Sequence, residues 1–246
     1  MIATYPKHPD NFKRPLVMWA GTSQQHLMIP GCWRGVGSRK CDRMPAAHSS
    51  AARRPRLQST ILNACADEDS FAGAALDALV GRLRRDSETL VIRPAGKQIA
   101  NCTGCFGCWF KTPGVCVIDD DCRAITREIA RADRLVFLTP VVFGGYHPDL
   151  KAVLERSIGI LAPFFRIFRG EMHHPLRDRN KAYEFIAIGI QDRADEETAS
   201  AFRQHVWRNA LNFNGLTWQA GSLVRAAGTA EVAARIDKLL ERMEVL

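Results

Sequence analysis

Two periodicities alternate along this chain. From Leu57 onward, short apolar runs take turns with stretches in which apolar residues return every third or fourth position, and ahead of Leu57 neither pattern is sustained. Segments of the first kind, at 58–64, 89–92, 134–139, 183–190 and 217–224, have the length and composition of strands. The second kind predicts amphipathic helices. Asp69 or Ser70 caps one whose apolar face is Ala72, Ala75, Leu76, Leu79, Val80 and Leu83. Asp119, Asp120 and Asp121 open another, marked by Ile125, Ile129 and Ala132, where acids complement the helix dipole. Three more run through Leu150, Val153, Leu154 and Leu161, through Phe202, Val206, Ala210 and Phe213, and through Val232, Ile236, Leu239, Leu240 and Met243.

Strand then helix, five times over, predicts an α/β fold: a doubly wound five-stranded parallel sheet, order 2-1-3-4-5, with helices on both faces. Parallel neighbours need crossovers, and right-handed crossovers are strongly preferred. The unbroken apolar run at 134–139 suits a central strand covered on both sides. Ligands of such sheets bind outside the carboxyl ends of the strands where the order reverses, here between strands 1 and 3. The loops at 64–70 and 140–148 and the loop after Ile190 are expected to meet there.

Charge alters the picture only at the N-terminus. The 246 residues carry 34 Lys and Arg against 26 Asp and Glu, a net +8. Ten of those bases and two acids fall in 1–56, which leaves 24 of each sign in 57–246. The balanced body is therefore expected to bind neither nucleic acid nor a membrane surface. Residues 1–56, punctuated by six prolines, read as a disordered basic extension or as sequence upstream of the true start, and 57–246 as the domain. No apolar run has the length of a membrane span or of a signal-peptide core, so a cytoplasmic place is expected. There, eight cysteines serve better as metal ligands or redox groups than as disulfides.

Five of the eight lie in 101–122. Cys102, Cys105 and Cys108 recur every third residue with Gly104 and Gly107 between them, and Cys116 follows a Thr112-Pro113-Gly114 turn. Glycines between thiols let the backbone curl around a bound object. Three closely spaced thiols plus one more is a common iron–sulfur arrangement, whereas structural zinc sites pair two separate knuckles. Redox thiols, zinc and a vestigial site remain alternatives on spacing alone. His173-His174 reads as a solvated pair.

The C-x-x-C-x-x-C-W loop at Cys102 to Trp109, K-T-P-G-x-C at Lys111 to Cys116, Asp119 and Asp120, Thr139-Pro140, the aromatic-glycine loop Phe143 to Tyr146, and Leu150-Lys151 together resemble one family. It is the flavodoxin-like NAD(P)H-dependent FMN reductase and iron–sulfur flavoprotein superfamily, and the resemblance spans 57–246. It implies an oxidoreductase with FMN at the carboxyl edge of the sheet, its phosphate near Asn63 and Ser70. The isoalloxazine would lie against Thr139, Pro140, Val141, Val142, Phe143, Gly144, Gly145 and Tyr146, cradled by backbone amides and by the rings of Phe143 and Tyr146. A four-iron, four-sulfur cluster would sit on Cys102, Cys105, Cys108 and Cys116. NAD(P)H would be the reductant, a small molecule or a protein the electron acceptor, and the assembly a homo-oligomer. The cofactor carries the chemistry, so no catalytic side chain is named. One departure stands out: the phosphate loop reads Asn63-Ala64-Cys65-Ala66-Asp67-Glu68-Asp69-Ser70, with three carboxylates opposing a phosphate. FMN is therefore expected to be held mainly through its ring. The alternative is a flavodoxin-fold interaction protein that has lost FMN.

Overall fold

The computed structural model describes residues 56–246. The expectation of a basic extension falls on residues that lie outside those described. The chain runs β1 (Leu57–Asn63), α1 (Ser70–Leu83), β2 (Ser87–Ile92), α2 (Gly107–Phe110), α3 (Cys122–Arg131), β3 (Arg134–Pro140) and α4 (Pro148–Arg156). It continues as β4 (Arg166–Phe168), β5 (Glu171–His173), β6 (Tyr183–Gln191), α5 (Glu196–Asn212), β7 (Gly215–Val224), α6 (Val232–Leu240) and β8 (Glu244–Val245). The main sheet has the order β2-β1-β3-β6-β7-β8. Its first five strands are parallel and follow the expected 2-1-3-4-5. β8 adds an antiparallel edge that the sequence reading lacks, pairing Thr217 with Val245 and Trp218 with Glu244. A separate two-stranded hairpin, β4 with β5, is also additional.

Strand β3 shows why its run is apolar throughout. Leu135 and Phe137 face one core, with Ile125 and Ile129 of α3, Leu150 and Val153 of α4, and Phe202 and Val206 of α5. Val136 and Leu138 face the other, with Leu76 and Leu79 of α1 and Ile236 of α6. Successive strand side chains point to opposite faces, so a strand buried on both sides needs apolar residues at odd and even positions alike. The two helical layers leave the carboxyl ends of β1, β3 and β6 free to carry loops. The long connection from β2 to α3 holds the cysteines.

Candidate functional site

The cysteine loop turns twice through left-handed backbone, at Gly104 (φ 66°) and at Phe106 (φ 54°), and α2 starts at the next residue. Gly107 cannot carry a side chain, because a Cβ there would come within 2.5 Å of Val117 Cγ1. Trp109 ties the short helix to the turn after α4 by donating from Nε1 to Ile158 O at 3.0 Å. The result is that Cys102, Cys105, Cys108 and Cys116 line one small cavity, closed by Ile118, Ile158 and Arg156. Cys105 is exposed, Cys102 and Cys116 half-buried, and Cys108 buried. Burial, and then the nearness of Cys116, pushes the Cys108 thiol up, whereas the Gly107 amide and the Thr103 hydroxyl pull that of Cys105 down.

Among the described residues, no three His, Cys, Asp or Glu side chains converge as a site for one metal ion. Four thiols around one shared cavity supply the donor set that an iron–sulfur group takes. Cys65 and Cys122 do not line that cavity and are both buried; burial pushes the Cys65 thiol up to about 12. Six cysteines are free among the described residues.

Arg156 holds the loop together. It lies in the last turn of α4 on the buried stripe after Leu150 and Val153, with its side chain 0% exposed. Nη1 donates to Ala100 O and to Asp120 Oδ2, both at 2.7 Å. Nη2 donates to Ile118 O at 3.2 Å and to Asp120 Oδ1 at 2.9 Å, and Nε donates to Cys116 Sγ at 3.2 Å. All five N–H groups are thus used. Asp120 in turn accepts from the amides of Ala100 and Cys122, so it belongs to the loop rather than serving only as a helix-start acid. Burial alone would raise its carboxyl, but the Arg156 guanidinium holds it below the usual range. Removing one partner of such a buried pair typically costs about 3–5 kcal/mol. Sequence reasoning missed Arg156. Its signal was an arginine at the three-residue spacing of an apolar stripe.

At the carboxyl end of β3, the Thr139 hydroxyl accepts from His147 N and donates to Pro140 O, both at 2.9 Å, which closes the loop on itself. Val141 N donates to Ile190 O, and Val142 and Gly145 exchange two hydrogen bonds across a tight turn. Phe143 (φ 48°) and Gly144 (φ 73°) form its tip, with the Phe143 ring fully exposed. The amides of Val141, Val142 and Gly145 are therefore already paired, whereas those of Phe143 and Gly144 make no backbone hydrogen bond. Tyr146 points inward, 5% exposed, against Phe137, Phe202 and His205, so Phe143 is the ring available for stacking.

Two adjoining clefts join this loop to the cysteines. One, of about 680 Å³, is lined by Asn101 together with Val142 to Tyr146. The other, of about 480 Å³, is lined by Cys102 and Gly104 together with Tyr146, Ile158 and Phe213. Lys151, Glu155 and His205 border both. Burial, and then Lys151, lowers the pKa of His205, which favours its neutral form. Both volumes are within the range of small-molecule sites.

The loop after β1 is arranged differently. Asn63 is buried, its side chain accepting from Cys65 N at 3.0 Å, and Ser70 is exposed at the start of α1. Asp69 caps α1 by accepting from Ala72 N at 3.0 Å, and Arg225 pairs with it through both guanidinium nitrogens. Asp67 pairs with Arg93 at 3.0 Å. Two of the three carboxylates expected to oppose a phosphate are thus neutralised, but one of them occupies the helix terminus where an anion would bind. The ring side of an FMN site fits these residues; the phosphate side is altered. His173 is buried and bonded to Asn212 at 2.9 Å, contrary to the reading of a solvated pair.

A doubly wound parallel sheet with a clefted carboxyl edge and a thiol-lined loop beside it defines a flavodoxin-like redox protein. Residues 59–224 match the family described as NADPH-dependent FMN reductase, and the chain belongs to that family. It is accordingly a flavin-dependent oxidoreductase, with FMN as cofactor and a reduced nicotinamide as electron source. An iron–sulfur flavoprotein of Methanosarcina thermophila is 24% identical over 188 residues, 72% of this chain and 88% of that protein. An iron–sulfur flavoprotein of Methanocaldococcus jannaschii is 32% identical over 111 residues, 45% of this chain and 50% of that protein. Among solved structures, an NAD(P)H:quinone oxidoreductase of Methanothermobacter marburgensis aligns over 76% of this chain and 93% of its own, with a TM-score of 0.56 at 15% identity. An FMN-dependent NADH-azoreductase of Bacillus anthracis aligns over 76% and 98%, at 0.54 and 12%. At these identities the structures share the fold. No helix among the described residues is long and apolar enough to cross a membrane.

Proposed function

We propose that this oxidoreductase is an iron–sulfur flavoprotein, with a four-iron, four-sulfur cluster on Cys102, Cys105, Cys108 and Cys116 and FMN at the loop 139–146. Electrons from NAD(P)H would pass to a small-molecule or protein acceptor. The observation that carries this reading is the adjacency of two clefts: Asn101 lines one together with Val142 to Tyr146, Cys102 lines the other, and Tyr146, Lys151, Glu155 and His205 border both. The two cofactor regions would therefore border adjoining clefts. The names of the two iron–sulfur relatives add support.

Bound flavin would supply hydride acceptance from NAD(P)H and release of electrons one at a time. The chain's own residues position and shield. Phe143 offers a stacking face, the turn closed by Val142 and Gly145 fixes where the Phe143 and Gly144 amides stand, and Thr139 locks the loop to β3. Lys151 places a positive charge at the cleft, where it favours the negative charge of a reduced flavin. We place the protein in the cytoplasm, where thiols stay reduced, and expect a homo-oligomer.

Anaerobically purified full-length protein should contain iron and acid-labile sulfide near four of each per chain, with the paired absorption bands of a flavin. Alanine at any of Cys102, Cys105, Cys108 or Cys116 should abolish the iron, and alanine at Cys65 or Cys122 should not. Zinc in place of iron, or metal-free protein after anaerobic reconstitution, would sink the cluster assignment.

A further inference from the structure

We propose that Arg156 is the positioning residue for the fourth ligand thiolate, and that its hydrogen bond to Cys116 sets the reduction potential of the iron–sulfur group. This rests on the cluster reading above.

Four of the five Arg156 N–H groups go to oxygen: Ala100 O, Ile118 O and the two oxygens of Asp120. They fix the plane of the guanidinium, and the fifth, on Nε, is then aimed at Cys116 Sγ at 3.2 Å. The anchor points bracket the loop, since Ala100 precedes the first ligand and Ile118 follows the last. Among the described residues, Cys116 is the one of the four thiols with a charged side-chain donor at hydrogen-bond distance. A donor to a ligand sulfur draws negative charge away from the metal and favours the form carrying one more electron. The donor side chain is fully buried and Cys116 is half-buried, so the bond lies largely away from water, where it acts more strongly than at the surface.

Asp120 decides which part of Arg156 matters. Its carboxylate lies 2.7–2.9 Å from the same guanidinium. The opposite charges largely cancel beyond the pair, so what reaches the sulfur is the local Nε–H bond rather than a net positive field. Lysine would keep the charge and lose the aimed fork, which makes Arg156→Lys the informative change. Asp120→Asn does the converse: it leaves Nε in place and removes the compensating negative charge. Adding one electron to the iron–sulfur group breaks no bond to Cys116 and moves no proton through Arg156. In turnover that electron comes from flavin reduced by NAD(P)H, and in a titration from dithionite.

The test uses full-length protein reconstituted anaerobically with iron and sulfide. The midpoint potential is read by dithionite titration followed through the electron paramagnetic resonance of the reduced group, with iron content and thermal melting measured on the same samples. In Arg156→Lys the reduction equilibrium should fall at least tenfold, a midpoint 59 mV lower for one electron. In Asp120→Asn the midpoint should rise. A residue that merely braces the loop would lower melting in both variants and leave the two midpoints unmoved or displaced in the same direction, and either result overturns the inference. Should Arg156→Lys fail to hold iron, the Asp120→Asn arm decides alone, and an unraised midpoint there is fatal. Wild-type protein that takes up no iron and sulfide overturns the cluster reading and this inference together; loaded protein with unmoved midpoints overturns the inference only.

Discussion

Asp69 and Arg225 meet at the N-terminus of α1 although 156 positions separate them, so that a side-chain carboxylate sits where a doubly wound fold ordinarily receives a ligand's phosphate. The pair makes this terminus electrically complete without a ligand. Arg225 also reaches Asp192 in the loop after β6, which draws two strand-end loops together.

From this pair follows a preference among flavins. Asp69→Ser keeps an N-cap side chain, removes the competing carboxylate and frees Arg225 for a phosphate oxygen. We expect FMN to bind roughly tenfold more tightly, about 1.4 kcal/mol, with riboflavin changed by less than about twofold. Fluorescence titration of both flavins checks this, and equal gains for the two would show that the carboxylate does not act on the phosphate.

The same carboxyl contributes to acid stability. Hydrogen bonding from Arg225, opposed in part by burial, holds Asp69 below its ordinary 3.8. A carboxyl with a depressed folded-state pKa binds fewer protons folded than unfolded. Its contribution is complete above about pH 5 and is lost as pH falls through the lowered folded value. Asp69→Asn should therefore flatten the acid limb of a melting-temperature profile between about pH 5 and 2.5 while leaving the slope near pH 7 unchanged. An unaltered acid limb would mean that other carboxylates carry it.

The five parallel strands and their helices were legible because each obeys one period over enough residues. Where the signal failed, it was short or non-local. β4, β5 and β8 have three, three and two residues, too few for alternation to register. The four cysteines proposed as ligands stood out by their spacing, but Arg156 and Arg225 did not. Their partners lie 36 and 156 positions away, and no local pattern announces such a pairing. Tyr146, expected with Phe143 to cradle a flavin ring, borders both clefts, but its ring packs into the core against Phe137 and Phe202, which its place in the sequence did not reveal.

Gly144 is held at φ 73°, and a Cβ there would lie 2.8 Å from Ala201 Cβ. Gly144→Ala should cost about 1–3 kcal/mol by urea unfolding, through left-handed strain plus the clash, and should weaken flavin binding. Pairing it with Ala201→Gly should recover only the clash component, and full recovery would show that the backbone conformation costs little.

The charge balance of 57–246 and the match of the family model to 59–224 predict that deleting residues 1–56 leaves a folded enzyme. A single cooperative urea transition with an unchanged midpoint is expected, along with retained flavin binding. Loss of cooperativity in the shortened chain would show that the domain extends further toward the N-terminus.

The small strand β8 has an importance beyond its two residues. An outermost strand with open amides and carbonyls is a template onto which another chain can zip. β8 covers Thr217 and Trp218 on the outer side of β7, and its Glu244 is ion-paired with Arg203, whose guanidinium stacks on the Trp218 ring. A charged, side-chain-anchored cap of this kind halts strand-by-strand growth at that margin. Strand β8 thus sets a charged, anchored pair along that margin of the sheet.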